Sequence, residues 1–286
     1  MWKTVNEQIS QAIHYDFKHT HKQQLQSTNT DKLFHITNGT HNYLVKVALK
    51  NELERLESES LGLKLLTENG VFIVPDCITT GANIEFSFIV LEWLEFDKQP
   101  HPTWNAMGKG LAMLHQKHQQ AMFGFDVDNY LATTVQPNSW HKKWYIFYAE
   151  ERIGWQLQLL AEKGIIFIEP ERLINLVKEQ LHSHPVEPSL LHGDFWRGNV
   201  GFINTVPSIF NPACYYGDRE VDIAMSELFA PLPDDFYSAY NQQYPLLASF
   251  EQRKLIYQLY PILNHANIFA GHYLTQAKQH IERLIK

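Results

Sequence analysis

The stretch LHGDFWRGN, residues 191–199, is the most informative part of the sequence. Short apolar runs flank it, Ser189–Leu191 before and residues 200–202 after, and each predicts a short strand. Asp194 and Asn199 therefore lie on one predicted loop between two strands. A carboxylate there can accept a proton, and an amide oxygen can bind a hard cation. Asp and Gly are also common in turns without any chemical role, so a plain loop is the alternative.

The loop resembles the H-R-D-x-x-x-x-N catalytic loop of protein kinases, with Gly193 in place of the arginine. Phosphoryl transfer needs a carboxylate beside the attacking hydroxyl and an oxygen ligand for magnesium a few residues away. The resemblance implies that Asp194 is the catalytic base and Asn199 a metal ligand. His-Gly-Asp with Asn at this spacing is typical of the aminoglycoside and choline kinases, which share the protein-kinase-like fold.

Further along, residues 208–225 read SIFNPACYYGDREVDIAM. They are similar to the fructosamine kinase signature D-P-A-x-Y-Y/W-G-x-R-E-x-D-x-A-M. The similarity extends to four other stretches: TTVQPNSW (133–140), ERIGWQL (151–157), AEKG (161–164) and LYPILN (259–264). The chain thus resembles the fructosamine, or ketosamine, kinases over nearly its whole length.

This resemblance implies an ATP- and magnesium-dependent kinase that phosphorylates a hydroxyl of a ketosamine, the 3-hydroxyl of a ribulosamine or fructosamine adduct. It also implies an α+β, bilobal, protein-kinase-like fold. We expect residues 1–94 to form an ATP-binding lobe with a small antiparallel sheet and one main helix, and residues 95–286 a mostly helical catalytic and substrate-binding lobe. The hinge is expected at about residues 91–96.

The first lobe carries the expected nucleotide-binding residues. Alternating apolar residues predict strands over 43–47 and 84–90, and leucines at helical spacing predict a helix over 52–68. The resemblance implies that Lys46 neutralises the ATP phosphates. Among the helix glutamates, Glu59 is its implied partner, although the run of glutamates alone would indicate only a solvated face.

The other ATP-binding residues are implied only by their position in the family pattern. Glu92, Trp93 and Leu94 fall where the hinge binds adenine through its backbone, and Ser27 and Thr28 fall in the phosphate-covering loop. That loop, LQSTNT at residues 25–30, contains no glycine. The family places paired glycines there so that backbone amides can approach the phosphates.

Position 211 also departs from the family, where an aspartate binds magnesium. Asn211 offers an amide oxygen without negative charge, which weakens a hard-cation site. The metal ligands implied here are therefore Asn199 and Asn211. Asp218, Glu220 and Asp222 are local candidates to replace the lost charge. Alternatively, they have structural roles: Asp222 would brace the catalytic loop, and Glu220 would pair with Arg219.

Two readings compete with the ketosamine kinase. One is a pseudokinase, a protein that binds nucleotide or a glycated ligand without turnover. The other is a kinase of another amino alcohol, such as an aminoglycoside or choline. The aromatic residues from Trp140 to Trp155 are core by default, and some of them are alternatively substrate-lining.

The composition limits the partners. A formal charge of −7 and a pI near 6.1 argue against nucleic acid or an anionic membrane as partner. Only Cys77 and Cys214 are present, and no signal peptide or membrane span is evident, so a cytoplasmic location is expected. A small-molecule substrate is the predicted partner, and the sequence leaves the oligomeric state open. From Phe250 to Lys286 we expect helix, with a kink at Pro261.

Overall fold

A computed structural model describes residues 1–27, 30–97, 103–117 and 119–285. Its contacts divide the chain into two compact units. Unit 1 comprises Met1–Pro102 and Gly201–Asn211, and unit 2 comprises Thr103–Val200 and Pro212–Lys286.

The elements of the described residues are as follows. The strands are β1 (His21–Ser27), β2 (Lys32–Thr37), β3 (Asn42–Leu49), β4 (Cys77–Ala82), β5 (Phe86–Glu92), β6 (Asn129–Leu131), β7 (Thr134–Gln136), β8 (Ser189–Leu191), β9 (Val200–Ile203), β10 (Val206–Ile209) and β11 (Tyr215–Gly217). The α-helices are α1 (Trp2–Ile13), α2 (Leu53–Asn69), α3 (Trp104–His115), α4 (Trp144–Phe147), α5 (Trp155–Glu162), α6 (Pro170–Leu181), α7 (Glu220–Ser226), α8 (Asp234–Gln243), α9 (Phe250–Phe269) and α10 (His272–Ile285). Short 3₁₀ turns lie at Lys50–Glu52 and Arg197–Asn199, and a π-helix covers Tyr148–Gly154.

Unit 1 contains a five-stranded antiparallel sheet in the order β1-β2-β3-β5-β4. Val45 and Val47 of β3 lie on one face and pack with Val5 and Ile9 of α1 in a common core. Because side chains alternate along a strand, Lys46 points to the opposite face. The strand predicted over 43–47 is confirmed within β3.

Two boundaries show how local chemistry sets these elements. The helix predicted over 52–68 is confirmed as α2, which ends at Gly70 with φ of +63°. The strand predicted from residue 84 begins instead at Phe86. The Asn83 side chain accepts hydrogen bonds from the backbone N–H groups of Glu85 and Phe86, at 2.9 and 2.8 Å, and so forms a turn there.

The hairpin of β9 and β10 belongs to unit 1, far along the chain from the sheet. Ile73 exchanges two backbone hydrogen bonds with β10, at 3.0 and 3.1 Å. At the hairpin turn, the Asp97 carboxylate accepts hydrogen bonds from the backbone N–H groups of Asn204 and Thr205, each at 3.1 Å. These bonds fix the segment that ends at Asn211.

Unit 2 is mostly helical and contains two short antiparallel strand pairs, β8 with β11 and β6 with β7. The helical structure predicted for the C-terminal stretch is confirmed, but it forms two helices, and α9 continues through Pro261 to Phe269. Helix α9 ends before Ala270 and Gly271, whose φ values are +51° and +56°, and α10 follows. Over the ranges that the structure describes, no helix combines the length and apolar character needed to cross a bilayer.

Candidate active site

In unit 1 the predicted pair of Lys46 and Glu59 is in contact. Lys46 is 7% exposed, and its Nζ lies 2.5 Å from Oε1 of Glu59, which α2 presents to it. A lysine this deeply buried requires a charged or polar partner. Glu59 supplies the charged partner, and helix α2 holds it in a fixed position.

Asn211 completes this group. Its Oδ1 accepts a second hydrogen bond from Lys46 Nζ at 2.5 Å. Asn211 has φ of +55°, in the left-handed region that asparagine tolerates better than most residues. Unit 1 thus contains a single hydrogen-bonded group formed by Lys46, Glu59 and Asn211. Asn211 is neutral, whereas the family signature has an aspartate at this position.

In unit 2 the predicted base and metal ligand are also in contact. The Asn199 side-chain Nδ2 donates to Asp194 Oδ2 at 2.7 Å and to the Asp194 backbone oxygen at 2.9 Å. Burial raises the pKa of Asp194 to about 7, although hydrogen bonds from Asn199 and Trp196 act in the opposite direction. A carboxyl group with a pKa near the working pH is well suited to exchange protons.

The loop that carries Asp194 is fixed through its backbone. Asp222 accepts hydrogen bonds from the N–H groups of His192 and Gly193 at 2.8 and 2.9 Å. Gly193 has φ of +80°, and a Cβ at this position would overlap the backbone of Ala213. Only glycine fits both conditions. The bracing role predicted for Asp222 is confirmed.

Asp222 is in turn held by a buried histidine. His115 Nε2 lies 3.2 Å from Asp222 Oδ2, and His115 Nδ1 lies 2.8 Å from the Tyr240 hydroxyl. Burial lowers the pKa of His115, although the nearby Asp222 opposes this effect. A neutral imidazole that donates to Asp222 and accepts from Tyr240 satisfies both contacts.

The other two acidic candidates belong to a buried ion cluster. Asp218 accepts hydrogen bonds from His184 Nε2 at 2.7 Å and from the Tyr257 hydroxyl at 2.5 Å. Burial would raise the pKa of Asp218, but His184 and Tyr257 together hold it below its usual value. Both oxygens of Glu220 accept from Arg253, at 2.7 and 2.8 Å.

The predicted ion pair of Arg219 with Glu220 is therefore wrong. Arg219 instead donates to the Tyr240 hydroxyl at 3.1 Å and to the backbone oxygen of Tyr244 at 2.9 Å. Over the described residues, the ligand atoms of His184, Asp218 and Glu220 are close enough to hold a metal. Because Arg253 neutralises Glu220, we interpret the cluster as structural.

The other residues expected to bind nucleotide lie elsewhere in unit 1. Glu92 ends β5, and its backbone N–H donates to the Asp76 oxygen at 2.8 Å. Trp93 packs on His35 with ring centroids 4.1 Å apart, and Leu94 follows half-buried. Ser27 is exposed at the end of β1, and Thr28 lies outside the described residues.

Three aromatic rings of unit 2 pack in a row that was not predicted, and one of them, Trp196, contacts Asp194. Trp196 packs against Phe229 with ring centroids 5.9 Å apart, and Phe229 packs against His265 at 4.9 Å. Phe229 is 39% exposed. By contrast, Trp144 and Tyr148, from the stretch considered in the sequence, are buried core. Trp196 could have been noticed because it is two residues from Asp194.

Comparisons with known proteins agree on one family. The fructosamine kinase family model matches residues 1–286. A probable ketoamine kinase of Vibrio parahaemolyticus is 44% identical over 286 residues, which cover 100% of this chain and 99% of that protein. A solved structure described as a "putative fructosamine-3-kinase", from Haemophilus somnus 129PT, is 33% identical and has a TM-score of 0.95, covering 100% of this chain and 98% of that one.

A more distant likeness concerns the fold alone. A thermostable mutant of an aminoglycoside phosphotransferase, solved in a ternary complex with AMP-PNP and hygromycin B, is 11% identical with a TM-score of 0.66. The likeness covers 99% of this chain and 98% of that one. The chain therefore belongs to the fructosamine kinase family and has the α+β, protein-kinase-like fold.

Proposed function

We propose that this protein is an ATP-dependent kinase that phosphorylates the 3-hydroxyl of a ketosamine, of the ribulosamine or fructosamine type. The observation that carries the proposal is the setting of Asp194. Its carboxylate is hydrogen-bonded by Asn199, lies on a loop that Asp222 braces, and has a pKa of about 7 because of burial. Family membership supports the phosphotransferase class.

In the proposed reaction, Asp194 accepts the proton of the sugar hydroxyl as its oxygen attacks the γ-phosphorus of ATP. The new bond joins the sugar oxygen to phosphorus, and the bond from the γ-phosphorus to the bridging oxygen breaks. ADP leaves with the bonding electrons. The hydrogen bond from Asn199 Nδ2 holds the carboxylate in one orientation, which favours transfer along a fixed path.

Lys46 is proposed to bind the ATP phosphates. Its ammonium is already oriented by Glu59 at 2.5 Å, so little side-chain entropy remains to be lost on binding. Glu92, Trp93 and Leu94 are proposed to bind adenine, and Ser27 and Thr28 to lie near the phosphates. These assignments follow from position in the family pattern.

Magnesium is proposed to be held by Asn199 and Asn211. Amide oxygens are of the hard type that this ion accepts, so the donor chemistry fits, although neither ligand brings negative charge. When bound, the ion would neutralise charge on the phosphates. The chain's own contribution is to orient the two amides: Asn199 by Asp194 and Asn211 by Lys46.

The acceptor is proposed to lie near Trp196, Phe229 and His265. A ketosamine carries a protonated amine beside its sugar, and cations are attracted to aromatic faces. The exposed ring of Phe229 and the ring of Trp196, whose side chain also contacts Asp194, provide such faces in unit 2. A ketosamine therefore suits this setting better than a neutral sugar.

The experiment is an ADP-release assay on purified protein with ATP, magnesium and a panel of acceptors. The panel contains a ribulosamine, a fructosamine, an aminoglycoside, choline and the parent sugars. We expect turnover with the ketosamines and about 10³-fold less with Asp194→Asn. Turnover with choline or the aminoglycoside alone would replace the acceptor assignment and keep the kinase chemistry.

A second candidate function is favoured by the contact between Lys46 and Asn211. Because Asn211 brings no charge, a protein that binds nucleotide without turnover is consistent with this group. Thermal shift with ATP, with and without magnesium, separates the two functions. An ATP-induced thermal shift that is the same with and without magnesium, together with no turnover of any acceptor, would favour this second function.

A further inference from the structure

A group of buried polar side chains in unit 2 has no part in the reaction as described so far. Asn129 and Gln136 face each other across the pair of β6 and β7, Asn138 follows β7, and Arg152 lies in the π-helix Tyr148–Gly154. All four are nearly or fully buried, with 4% exposure at most. The large majority of buried polar groups in proteins make hydrogen bonds, and in this group Arg152 Nε is without one over the described residues.

Two of these side chains bind consecutive backbone carbonyls. Gln136 Nε2 donates to the oxygen of Ala213 at 3.2 Å, and Asn129 Nδ2 donates to the oxygen of Cys214 at 2.7 Å. The backbone N–H of Ala213 donates to the His192 oxygen at 2.8 Å. The segment of Ala213 and Cys214 is therefore bonded to the amide side chains and also to the loop that carries Asp194.

The close approach of Gly193 extends this contact. A Cβ on Gly193 would overlap the Ala213 oxygen, which is the atom that Gln136 binds. The loop thus rests on Ala213 at one side, while Asp222 holds its N–H groups. A displacement of Ala213 would remove the contact on that side of the loop and leave the Asp222 bonds on the other side.

The orientation of both amides is fixed by further bonds. Gln136 Nε2 also donates to Asn129 Oδ1 at 2.7 Å, and the Tyr260 hydroxyl donates to Gln136 Oε1 at 3.0 Å. Asn138 Nδ2 donates to the same Asn129 Oδ1 at 2.9 Å. Rotating the Asn129 amide by half a turn would set its NH₂ group against two donors. Rotating the Gln136 amide would set its oxygen against two acceptors, so each side chain has one orientation.

Arg152 polarises this chain of amides. Its Nη2 donates to Asn138 Oδ1 at 2.7 Å, and its guanidinium lies 4.1 Å from the Tyr215 ring centroid and 4.6 Å from that of Phe147. Over the described ranges no carboxylate pairs with Arg152. The cation instead strengthens the successive bonds from Asn138 to Asn129 and on to the Cys214 oxygen.

We propose that Gln136 and Asn129 are positioning residues for the catalytic loop, acting through the carbonyls of Ala213 and Cys214. The expected effect of these residues on kcat rests on the proposed kinase function. Their expected effect on the backbone of Ala213 and Gly193 does not. Neither residue contacts Asp194. Each fixes the segment on which His192 and Gly193 rest.

The test compares Gln136→Met with Gln156→Met. Both glutamines are 0% exposed, and Gln156 hydrogen-bonds Asn264 and Asn267 in unit 2. The same substitution therefore removes a buried amide at both sites, but only Gln136 binds Ala213. Gln136→Glu, which keeps an acceptor for Tyr260 and loses the N–H donors, serves if Gln136→Met does not fold.

Amide hydrogen exchange of Ala213 and Gly193 is the first measurement. We expect Gln136→Met to accelerate it about tenfold and Gln156→Met to leave it unchanged. For turnover, we expect kcat to fall about 10- to 100-fold in Gln136→Met, with KM for ATP unchanged because Lys46 lies in unit 1.

Unchanged exchange at Ala213 in Gln136→Met would overturn the proposal, as would equal exchange and equal kcat in the two variants. Wild-type protein that turns over no acceptor would count against the proposed function alone. The exchange rates would in that case still decide whether Gln136 positions the loop.

Discussion

The Lys46 ammonium donates a hydrogen bond to the amide oxygen of Asn211 at 2.5 Å, while Glu59 accepts from the same nitrogen. A carboxylate at position 211, as the fructosamine kinase signature has, would place two negative charges around one lysine. In this chain the group carries one negative and one positive charge. The lysine thereby neutralises Glu59, and nothing in the group is left to offset the charge of a metal ion.

The first prediction follows from that charge count. Asn211→Asp should lower the magnesium concentration needed for half-maximal activity by about tenfold, because an added carboxylate strengthens a hard-cation site. The measurement is the magnesium dependence of ADP release at saturating ATP. Asn204→Asp is the control for added charge, because Asn204 lies on the turn between β9 and β10, the hairpin that precedes Asn211. An identical magnesium dependence in Asn211→Asp and the wild type would show that residue 211 does not bind the ion.

Removal of Glu59 should destabilise unit 1. Glu59→Ala leaves the buried Lys46 ammonium with only a neutral partner, and we expect the free energy of unfolding to fall by about 3 kcal/mol. Lys46→Met in the Glu59→Ala background should restore most of the loss, because the unpaired charge is then gone. Chemical denaturation of the wild type, Glu59→Ala, Lys46→Met and the double variant measures the coupling free energy. Additive losses would mean that the two side chains do not interact.

The activity should depend on pH through Asp194. Burial raises the pKa of Asp194 to about 7, so the carboxylate that accepts the proton is lost as the pH falls through 7. We expect kcat/KM to fall about tenfold for each pH unit below that value and to be level just above it. A profile that remains flat down to pH 5 would exclude Asp194 as the base in the free enzyme.

The buried cluster of unit 2 should matter for stability. Arg253→Met removes the guanidinium from which both buried Glu220 oxygens accept, and we expect a loss of about 3 to 5 kcal/mol. The neighbouring Lys254 pairs with Glu227 and Glu251 at a more exposed site, so Lys254→Met should cost less than about 1 kcal/mol. Comparable losses in the two variants, measured by denaturation, would contradict the structural role of the cluster.

Much of unit 1 could be predicted because local patterns encode it. Alternating apolar residues predicted the strand that carries Lys46, and the helical spacing of leucines predicted the helix that carries Glu59. Helix α1 was missed because its buried residues, Val5 and Ile9, are few in a polar stretch. The inclusion of residues 201–211 in unit 1 depends on hydrogen bonds from Ile73 and Asp97, which are too distant in sequence to be inferred from spacing.

In the candidate site, too, contacts between residues distant in sequence could not be predicted. Asp194 and Asn199 were predicted to act together because both lie on one loop at a characteristic spacing, and their side chains are in contact. Glu220 was given the wrong partner, since its neighbour Arg219 turns to Tyr240 and Arg253 comes from α9. Phe229 and His265 join Trp196 only through tertiary packing, so their positions in the sequence carry no signal.

The measurement closest to the central claim is phosphorus NMR of the products formed from ATP and a ribulosamine. With magnesium present, the account predicts a sugar phosphomonoester signal coupled to the proton on the carbon of the 3-hydroxyl, growing as the γ-phosphate signal of ATP declines. The same signal should be absent with Asp194→Asn. No sugar phosphomonoester from either the wild type or Asn211→Asp, or equal amounts from the wild type and Asp194→Asn, would contradict the account.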